Sequence, residues 1–204
     1  SGYTSNAVTL EWKTATFDYD RGTKIAVDTQ DNAESMNIAF GRAGAELMRT
    51  KVAPEADAYT FAKIAETEGI TTVTEDFADA ETFLSALLKA TTKMDEDEVP
   101  SEQRILYSTP TLLNSVKALD TYKSREALQG FAKVVPVPST RFYTKIKLLS
   151  GKDTELDGGY KKAEDGHVIN FLIVHKPSVM KWDKHTVSNV IPASNNIESD
   201  SDVL

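Results

Sequence analysis

Histidine is the first residue type to test for chemistry, because imidazole is a metal ligand and a general base near neutral pH. The 204-residue chain has three histidines, His167, His175 and His185. Their separations of eight and ten residues match no metal-binding pattern on a single helix or hairpin. We interpret His175 as the hydrogen-bonded end of a strand and His185, close to Asp183, as part of a surface pair. The sequence therefore predicts no metal ligand.

Carboxylates are concentrated in the contiguous run Asp95–Glu98. A catalytic carboxylic acid needs burial to shift its pKa, and four adjacent acidic side chains cannot all be buried. The run also lacks the central glycine and the closing glutamate of a calcium-binding loop. It therefore predicts a solvated loop.

Sequence signatures for phosphate binding and nucleophilic catalysis are also incomplete. Ser150-Gly151-Lys152 resembles the end of a phosphate-binding loop, but Ile146 and Asp153 stand where a glycine and a serine or threonine are required. The chain contains no cysteine, no G-x-S-x-G elbow and no G-x-G-x-x-G fingerprint. We therefore predict no catalytic residue and no cofactor site, and a protein that is not an enzyme.

The one mixed basic and aromatic patch consists of Arg141, Phe142, Tyr143 and Lys145. Alternating positions of a strand point to opposite faces, so the patch is more typical of a strand face than of a surface that binds bases. The formal net charge of −8, from 31 acidic and 23 basic residues, also repels a phosphate backbone. Sequence-specific DNA binding is therefore not expected.

The composition is that of a globular protein. Hydrophobic residues make up 40% and charged residues 26% of the chain, which is long enough to build a substantial core. No apolar stretch approaches the roughly 18 to 20 residues that span a bilayer. We therefore expect a protein that does not enter a membrane.

The first half of the chain changes from strand periodicity to helix periodicity. Val8–Asp28 alternates apolar and polar residues around the turn Asp20-Arg21-Gly22, which predicts a long two-stranded hairpin. Helical spacing follows over residues 31–66, and Pro54 must either kink this helix near Lys51 or lie in the first turn of a second helix. Another helix is predicted over residues 75–94.

The second half is predicted to alternate short strands and short helices. The predicted elements, in order, are a strand 104–107, a helix from Thr109-Pro110 to 119, a loop or short helix 120–129, an edge strand 131–137, a loop 151–166, a strand 168–174, a short helix 177–182 and a strand 186–191. The predicted class is therefore α+β.

Four segments carry a resemblance to a known family. They are LMRTKVAPEADAYTFAKIA, RILYSTPTLLNSVK, VVPVPSTRFYTKIKL and VINFLIVHKPSVMKWDKHTVSNVIPASN. In this order they resemble the major capsid proteins of tailed bacteriophages and prophages. The last segment is the most specific, because a strand ending in Ile-Val-His, a Pro-Ser turn and a Lys-His step follow one another. The residues concerned are Ile173, Val174, His175, Pro177, Ser178, Lys184 and His185.

The resemblance implies the Hong Kong phage type of capsid fold, with an extended loop, a spine helix, a peripheral sheet and an axial domain. It assigns residues 1–30 to the extended hairpin loop, 31–94 to the spine helix and a peripheral-domain helix, 95–175 to the axial domain and 176–204 to the return to the peripheral domain. Family members normally extend further in both directions, so the resemblance also implies a chain truncated at both ends.

The implied function is that of a self-assembling subunit of an icosahedral shell that encloses DNA. Its partners would be copies of itself in hexamers and pentamers, with a scaffold protein as a further candidate. It would be found in the virion capsid, and in the bacterial host cytoplasm before assembly. Because a thin hairpin gains burial only by lying on a neighbour, we predict an assembly interface. Its candidate residues are Leu10, Trp12, Phe17 and Tyr19.

Two alternatives remain open from the sequence. An encapsulating nanocompartment shell protein would have the same fold but enclose enzymes rather than DNA. A soluble α+β hydrolase would use His175 or His185 with an acidic partner, and would then place a histidine of shifted pKa in a cleft.

Overall fold

The computed structural model describes residues 10–28, 34, 38–155, 158–182, 191 and 201–203. The chain divides into two compact units, one formed by Ser1–Gly41 with Trp182–Leu204 and the other by Arg42–Lys181. Within the described ranges, no helix combines the length and the apolar character that crossing a bilayer requires. The mixture of helices and small sheets confirms the predicted α+β class.

The helices and strands are numbered in chain order. The helices are α1 (Ile38–Leu47), α2 (Ala53–Glu66), α3 (Ala80–Glu96), α4 (Pro110–Ala118) and α5 (Tyr122–Gln129). The strands are β1 (Ala26–Asp28), β2 (Arg104–Ser108), β3 (Lys133–Pro136), β4 (Ile146–Leu148), β5 (Tyr160–Lys162), β6 (Phe171–His175) and β7 (Ser201–Val203).

The predicted N-terminal hairpin does not form in the described residues. Residues 10–25, here called the N-terminal arm, contain no strand, and β1 pairs instead with β7 in antiparallel register. The alternating pattern was a poor guide because a two-stranded ribbon with few large apolar residues is marginal without a further layer to cover it. The strand prediction for this arm is therefore wrong.

Pro54 realises the second alternative left open by the sequence, a position in the first turn of a second helix. A π-helical turn, Met48–Val52, separates α1 from α2, and Pro54 lies in the first turn of α2. The Ala53 N–H donates to the Met48 carbonyl five residues earlier. Proline has no N–H and its ring crowds the preceding turn of an α-helix, so widening that turn accommodates the ring without ending the helix.

Helix α3 begins later than the predicted residue 75 because Asp79 caps it. The Thr82 N–H donates to the Asp79 carboxylate at 2.7 Å, and the Asp79 N–H donates back to the Thr82 hydroxyl at 3.3 Å. The side-chain bond fixes the first helical residue at Ala80. The apolar stripe predicted for this helix is confirmed, with Phe83, Leu84 and Leu87 buried.

The central sheet has the order β3-β2-β6. Strand β2 is parallel to β3 and antiparallel to β6. Strand β3 is therefore an edge strand, as Pro136 and Pro138 predicted. Three clusters of buried side chains surround this sheet. They are Phe61, Val137, Phe142 and Ile169; Leu87, Leu106, Leu113 and Phe131; and Phe83, Leu84 and Val116.

Two helix starts next to the sheet differ in how they are capped. Pro110 occupies the first helical position and Thr109 the N-cap, as the sequence predicts, but the Thr109 side chain makes no capping bond. The Thr109 N–H donates instead to the Asn170 carbonyl at 3.2 Å. Residues 120–129, which the sequence left as a loop or a short helix, form α5. Its first turn is fixed by the Ser124 N–H, which donates to the Thr121 hydroxyl at 3.1 Å.

The predicted loop 151–166 contains a strand that sequence reasoning missed. Strand β5 pairs with β4 in antiparallel register, joined by a glycine-containing loop. Gly151 and Gly158 adopt positive φ angles of 70° and 59°, and their backbones approach closely. Left-handed backbone of this kind costs glycine little, so the loop can reverse the chain here.

The predicted strand 168–174 is divided. Val168 forms only an isolated bridge with Tyr143, and β6 begins at Phe171. Between them the Asn170 carbonyl accepts hydrogen bonds from the Thr109 N–H and the Ser108 hydroxyl. Strand β6 is half-buried along its length.

The short helix predicted over 177–182 is also shorter than expected. A 3-10 turn spans Lys176–Ser178 and stops because Val179 adopts extended backbone. The Ser178 hydroxyl donates to the His175 carbonyl at 2.7 Å and closes this turn. The strand predicted over 186–191 lies outside the described residues, apart from residue 191.

Candidate assembly surfaces

Three of the four predicted interface residues are exposed on the N-terminal arm. Leu10 is 81% exposed, Trp12 94% and Phe17 57%. Tyr19 is half-buried and makes a contact within its own chain. Fully burying a large aromatic side chain contributes about 2–5 kcal/mol. The arm therefore presents apolar side chains that the described residues leave uncovered.

A second exposed apolar segment follows the last 3-10 turn. Met180 is 77% exposed and Val179 is 38% exposed. Trp182, which belongs to the other unit, is 74% exposed. Sequence reasoning placed these residues in a helix and did not assign them to an interface. The signal that could have identified them is the concentration of three large apolar residues around one lysine in the stretch Val-Met-Lys-Trp.

A groove of about 560 Å³ lies on the unit formed by residues 42–181. Its walls come from the π-helical turn, the 3-10 turn Ser139–Arg141 and strand β5. Four cationic side chains line it, and we call it the basic groove. They are Lys51, Arg141, Lys161 and Lys162.

Several contacts fix the walls of the basic groove. Arg141 forms an ion pair with Asp57 at 3.1 Å, the Lys162 ammonium donates to the Gly166 carbonyl at 3.0 Å, and the Tyr160 hydroxyl donates to the Thr140 carbonyl at 2.9 Å. Partial burial raises the pKa of Tyr160. Lys51 and Lys161 form no ion pair with a described residue, so their charges remain available to a ligand.

The patch that the sequence singled out at residues 141–145 is dispersed by the fold. Phe142 is completely buried, whereas Arg141 and Tyr143 line the basic groove. Lys145 turns to Asp165, and the two side chains form an ion pair at 2.6 Å. The patch does not form the expected strand face, because Arg141 belongs to the 3-10 turn Ser139–Arg141 and Tyr143 makes only an isolated β-bridge.

An ion pair stabilises the loop that joins β4 and β5. Lys147 donates to Glu155 at 2.7 Å, and the Ser150 N–H donates to the other Glu155 oxygen at 2.8 Å. These hydrogen bonds, with that of Lys147 the strongest, lower the pKa of Glu155 from 4.5 to about 2. Ser150-Gly151-Lys152 therefore belongs to a loop whose backbone donor already binds a carboxylate of this chain.

The acidic run is exposed, as predicted, although its first two residues extend α3. We call Asp95–Glu98 the acidic turn. Asp95 forms an ion pair with Arg104 and Asp97 one with Lys93, both at 2.7 Å. Glu96 and Glu98 are exposed and form no ion pair with a described residue.

The described histidines are not assembled into a catalytic group. His167 is exposed, His175 is half-buried at the end of β6, and neither imidazole hydrogen-bonds to a carboxylate among the described residues. His185 lies outside those residues. In the described part of the chain, no group of three histidine, aspartate or glutamate side chains is arranged to hold a metal ion.

Comparison with known proteins identifies no relative. No family model, curated protein or solved structure matches the chain.

Proposed function

We propose that this protein is a self-assembling structural subunit of an icosahedral phage capsid shell that encloses DNA. The observation that carries the proposal is the exposure of Trp12, at 94%, on an arm that forms no strand of its own. The order of the four capsid-like segments in the sequence supports the same function. The subunit would be part of the virion capsid, and would lie in the bacterial host cytoplasm before assembly.

The physical basis is the repetition of modest contacts. A shell closed by symmetry becomes stable because many interfaces form together, so no single contact needs to be strong. An arm with Leu10, Trp12 and Phe17 exposed gains apolar burial when it lies across a neighbouring copy. The net charge of −8 limits adhesion to the enclosed nucleic acid.

The experiment is production of the protein in bacteria, alone and with a candidate scaffold protein. Particles are then examined by negative-stain microscopy and their contents by nuclease protection. The proposal predicts uniform closed particles that protect DNA. Particles that enclose protein but no DNA indicate a nanocompartment shell, and a protein that remains monomeric under every condition contradicts the proposal.

A further inference from the structure

The basic groove is the strongest recognition surface that the N-terminal arm does not explain. Lys51 and Lys161 contribute charges without an ion-pair partner among the described residues, whereas Asp57 offsets the charge of Arg141. The chain has a net charge of −8, yet four cationic side chains line this groove, against the two carboxylates, Asp57 and Glu55, whose charges act on Tyr160 in its wall. Gly158 and Gly159 on its wall have no side chain, so the backbone of a ligand can approach closely. The groove is suited to an anionic segment.

The acidic turn has the complementary charge. Glu96 and Glu98 are exposed without an ion-pair partner among the described residues. The neighbouring backbone is held in place, because the buried Arg104 side chain donates to the Val99 and Pro100 carbonyls. These two carboxylates are therefore presented on a fixed support, which reduces the entropy lost when they bind.

The groove and the acidic turn lie at opposite ends of the central sheet. Strand β2 begins at Arg104, which contacts the acidic turn through Asp95. It ends at Ser108, whose carbonyl accepts a hydrogen bond from the Val137 N–H at 2.9 Å. From Val137 the chain continues through the 3-10 turn Ser139–Arg141 to Arg141 in the groove wall. A five-residue strand spans about 16 Å. This separation favours contact between two molecules over contact within one.

We propose that the acidic turn of one copy binds in the basic groove of the next copy. The contact is heterologous, since two different surfaces of the same chain meet, and a heterologous contact produces a ring when its rotation closes. The inference rests on the proposed function and specifies one of its contacts. Exposed ion pairs contribute modestly to affinity but fix the orientation of the partners, which suits a contact repeated around a ring.

The direct test is zero-length carbodiimide cross-linking of an equal mixture of ¹⁴N-labelled and ¹⁵N-labelled protein. Carbodiimide condenses a carboxylate with an amine to form an amide bond. The carbodiimide takes up the water that this condensation releases. We expect isotopically mixed peptide pairs that join Glu96 or Glu98 to Lys51 or Lys161. The Lys147–Glu155 pair, 2.7 Å apart in one chain, is the internal reference. Recovery of that reference from assembled protein without the mixed pairs overturns the inference.

Charge exchange supplies the second measurement. The double variant Lys51→Glu/Lys161→Glu and the double variant Glu96→Lys/Glu98→Lys are each expected to weaken self-association at least about tenfold. An equal mixture of the two restores association into rings with an even number of subunits, because the two variants can then alternate and each turn meets a groove of opposite charge. The control variant Lys89→Glu/Lys117→Glu, which changes exposed lysines outside the groove, leaves association unchanged.

The remaining outcomes separate this inference from the proposed function. Normal particles from both double variants overturn the head-to-tail contact and leave the shell function intact. If Lys51→Glu/Lys161→Glu loses DNA retention while Glu96→Lys/Glu98→Lys assembles normally, the groove binds nucleic acid. That outcome also overturns the inference. Absence of self-association in the unmodified protein contradicts the shell function together with the contact.

Discussion

The Arg104 guanidinium lies 2.7 Å from the Asp95 carboxylate, and the Arg104 side chain is only 4% exposed. The same side chain donates to the carbonyls of Val99 and Pro100. Through these bonds the start of the central strand β2 holds the end of α3 and the acidic turn. One buried cation therefore joins a core element to the surface that we infer to bind a neighbouring copy.

Replacing Arg104 with leucine is expected to destabilise the fold by about 1–3 kcal/mol. The substitution leaves the carbonyls of half-buried Val99 and exposed Pro100 without their donor, and it leaves Asp95, whose side chain is 64% exposed, without its partner. Urea unfolding followed by circular dichroism measures the change. Arg125→Leu is the matched control, because its ion pair with Asp120 is exposed and contributes less than about 1 kcal/mol. Equal losses for both variants would contradict this account of Arg104.

Glu155 is expected to make stability depend on pH in the acidic range. Its pKa in the folded protein is about 2, below the ordinary value of 4.5. The stabilisation is therefore fully present above pH 4.5 and is lost as the pH falls toward 2. Glu155→Gln cannot titrate, so its unfolding midpoint should fall less steeply over this window.

The control for this pH experiment is Glu102→Gln, which changes an exposed carboxylate that has no ion pair with a described residue. We expect this variant to retain the pH dependence of the unmodified protein. If Glu155→Gln has the same slope as the unmodified protein between pH 4.5 and 2, the ion pair with Lys147 does not carry the effect.

Two glycines are expected to respond to alanine with opposite signs. A Cβ atom at Gly166 would lie 2.6 Å from the Lys145 carbonyl oxygen, so Gly166→Ala must displace backbone and cost about 1–3 kcal/mol. Gly41 lies in α1 with nothing within 4 Å of a Cβ atom, so Gly41→Ala should stabilise by about 0.5–1 kcal/mol. Thermal unfolding of both variants checks the signs, and stabilisation by Gly166→Ala would be inconsistent with the backbone geometry.

Elements that are specified by local interactions could be predicted from the sequence. The apolar spacing of α3 identified its buried face, and the prolines around Val137 identified an edge strand. Boundaries were less accurate where a distant partner intervenes. Asn170 interrupts the predicted strand because its carbonyl binds Ser108, 62 residues earlier in the chain.

The surfaces show the same division between local and distant information. The apolar residues of the N-terminal arm were identified from the sequence because they lie close together in the chain. The basic groove was missed, because Lys51, Arg141 and Lys161 belong to three separate segments and only folding brings them together. No pattern within a single short segment of the sequence identifies residues that only the fold brings together.

The central claim is that copies of this chain associate through the exposed apolar residues of the N-terminal arm. Sedimentation velocity of the unmodified protein, Trp12→Ala and Tyr122→Ala at equal concentrations tests it most directly. Tyr122 is the matched control, because it is an aromatic residue that is 80% exposed outside the arm. We predict large particles for the unmodified protein and Tyr122→Ala, and a shift to slowly sedimenting, normally folded subunits for Trp12→Ala. Particles of Trp12→Ala that match the unmodified protein in size and yield would contradict the claim.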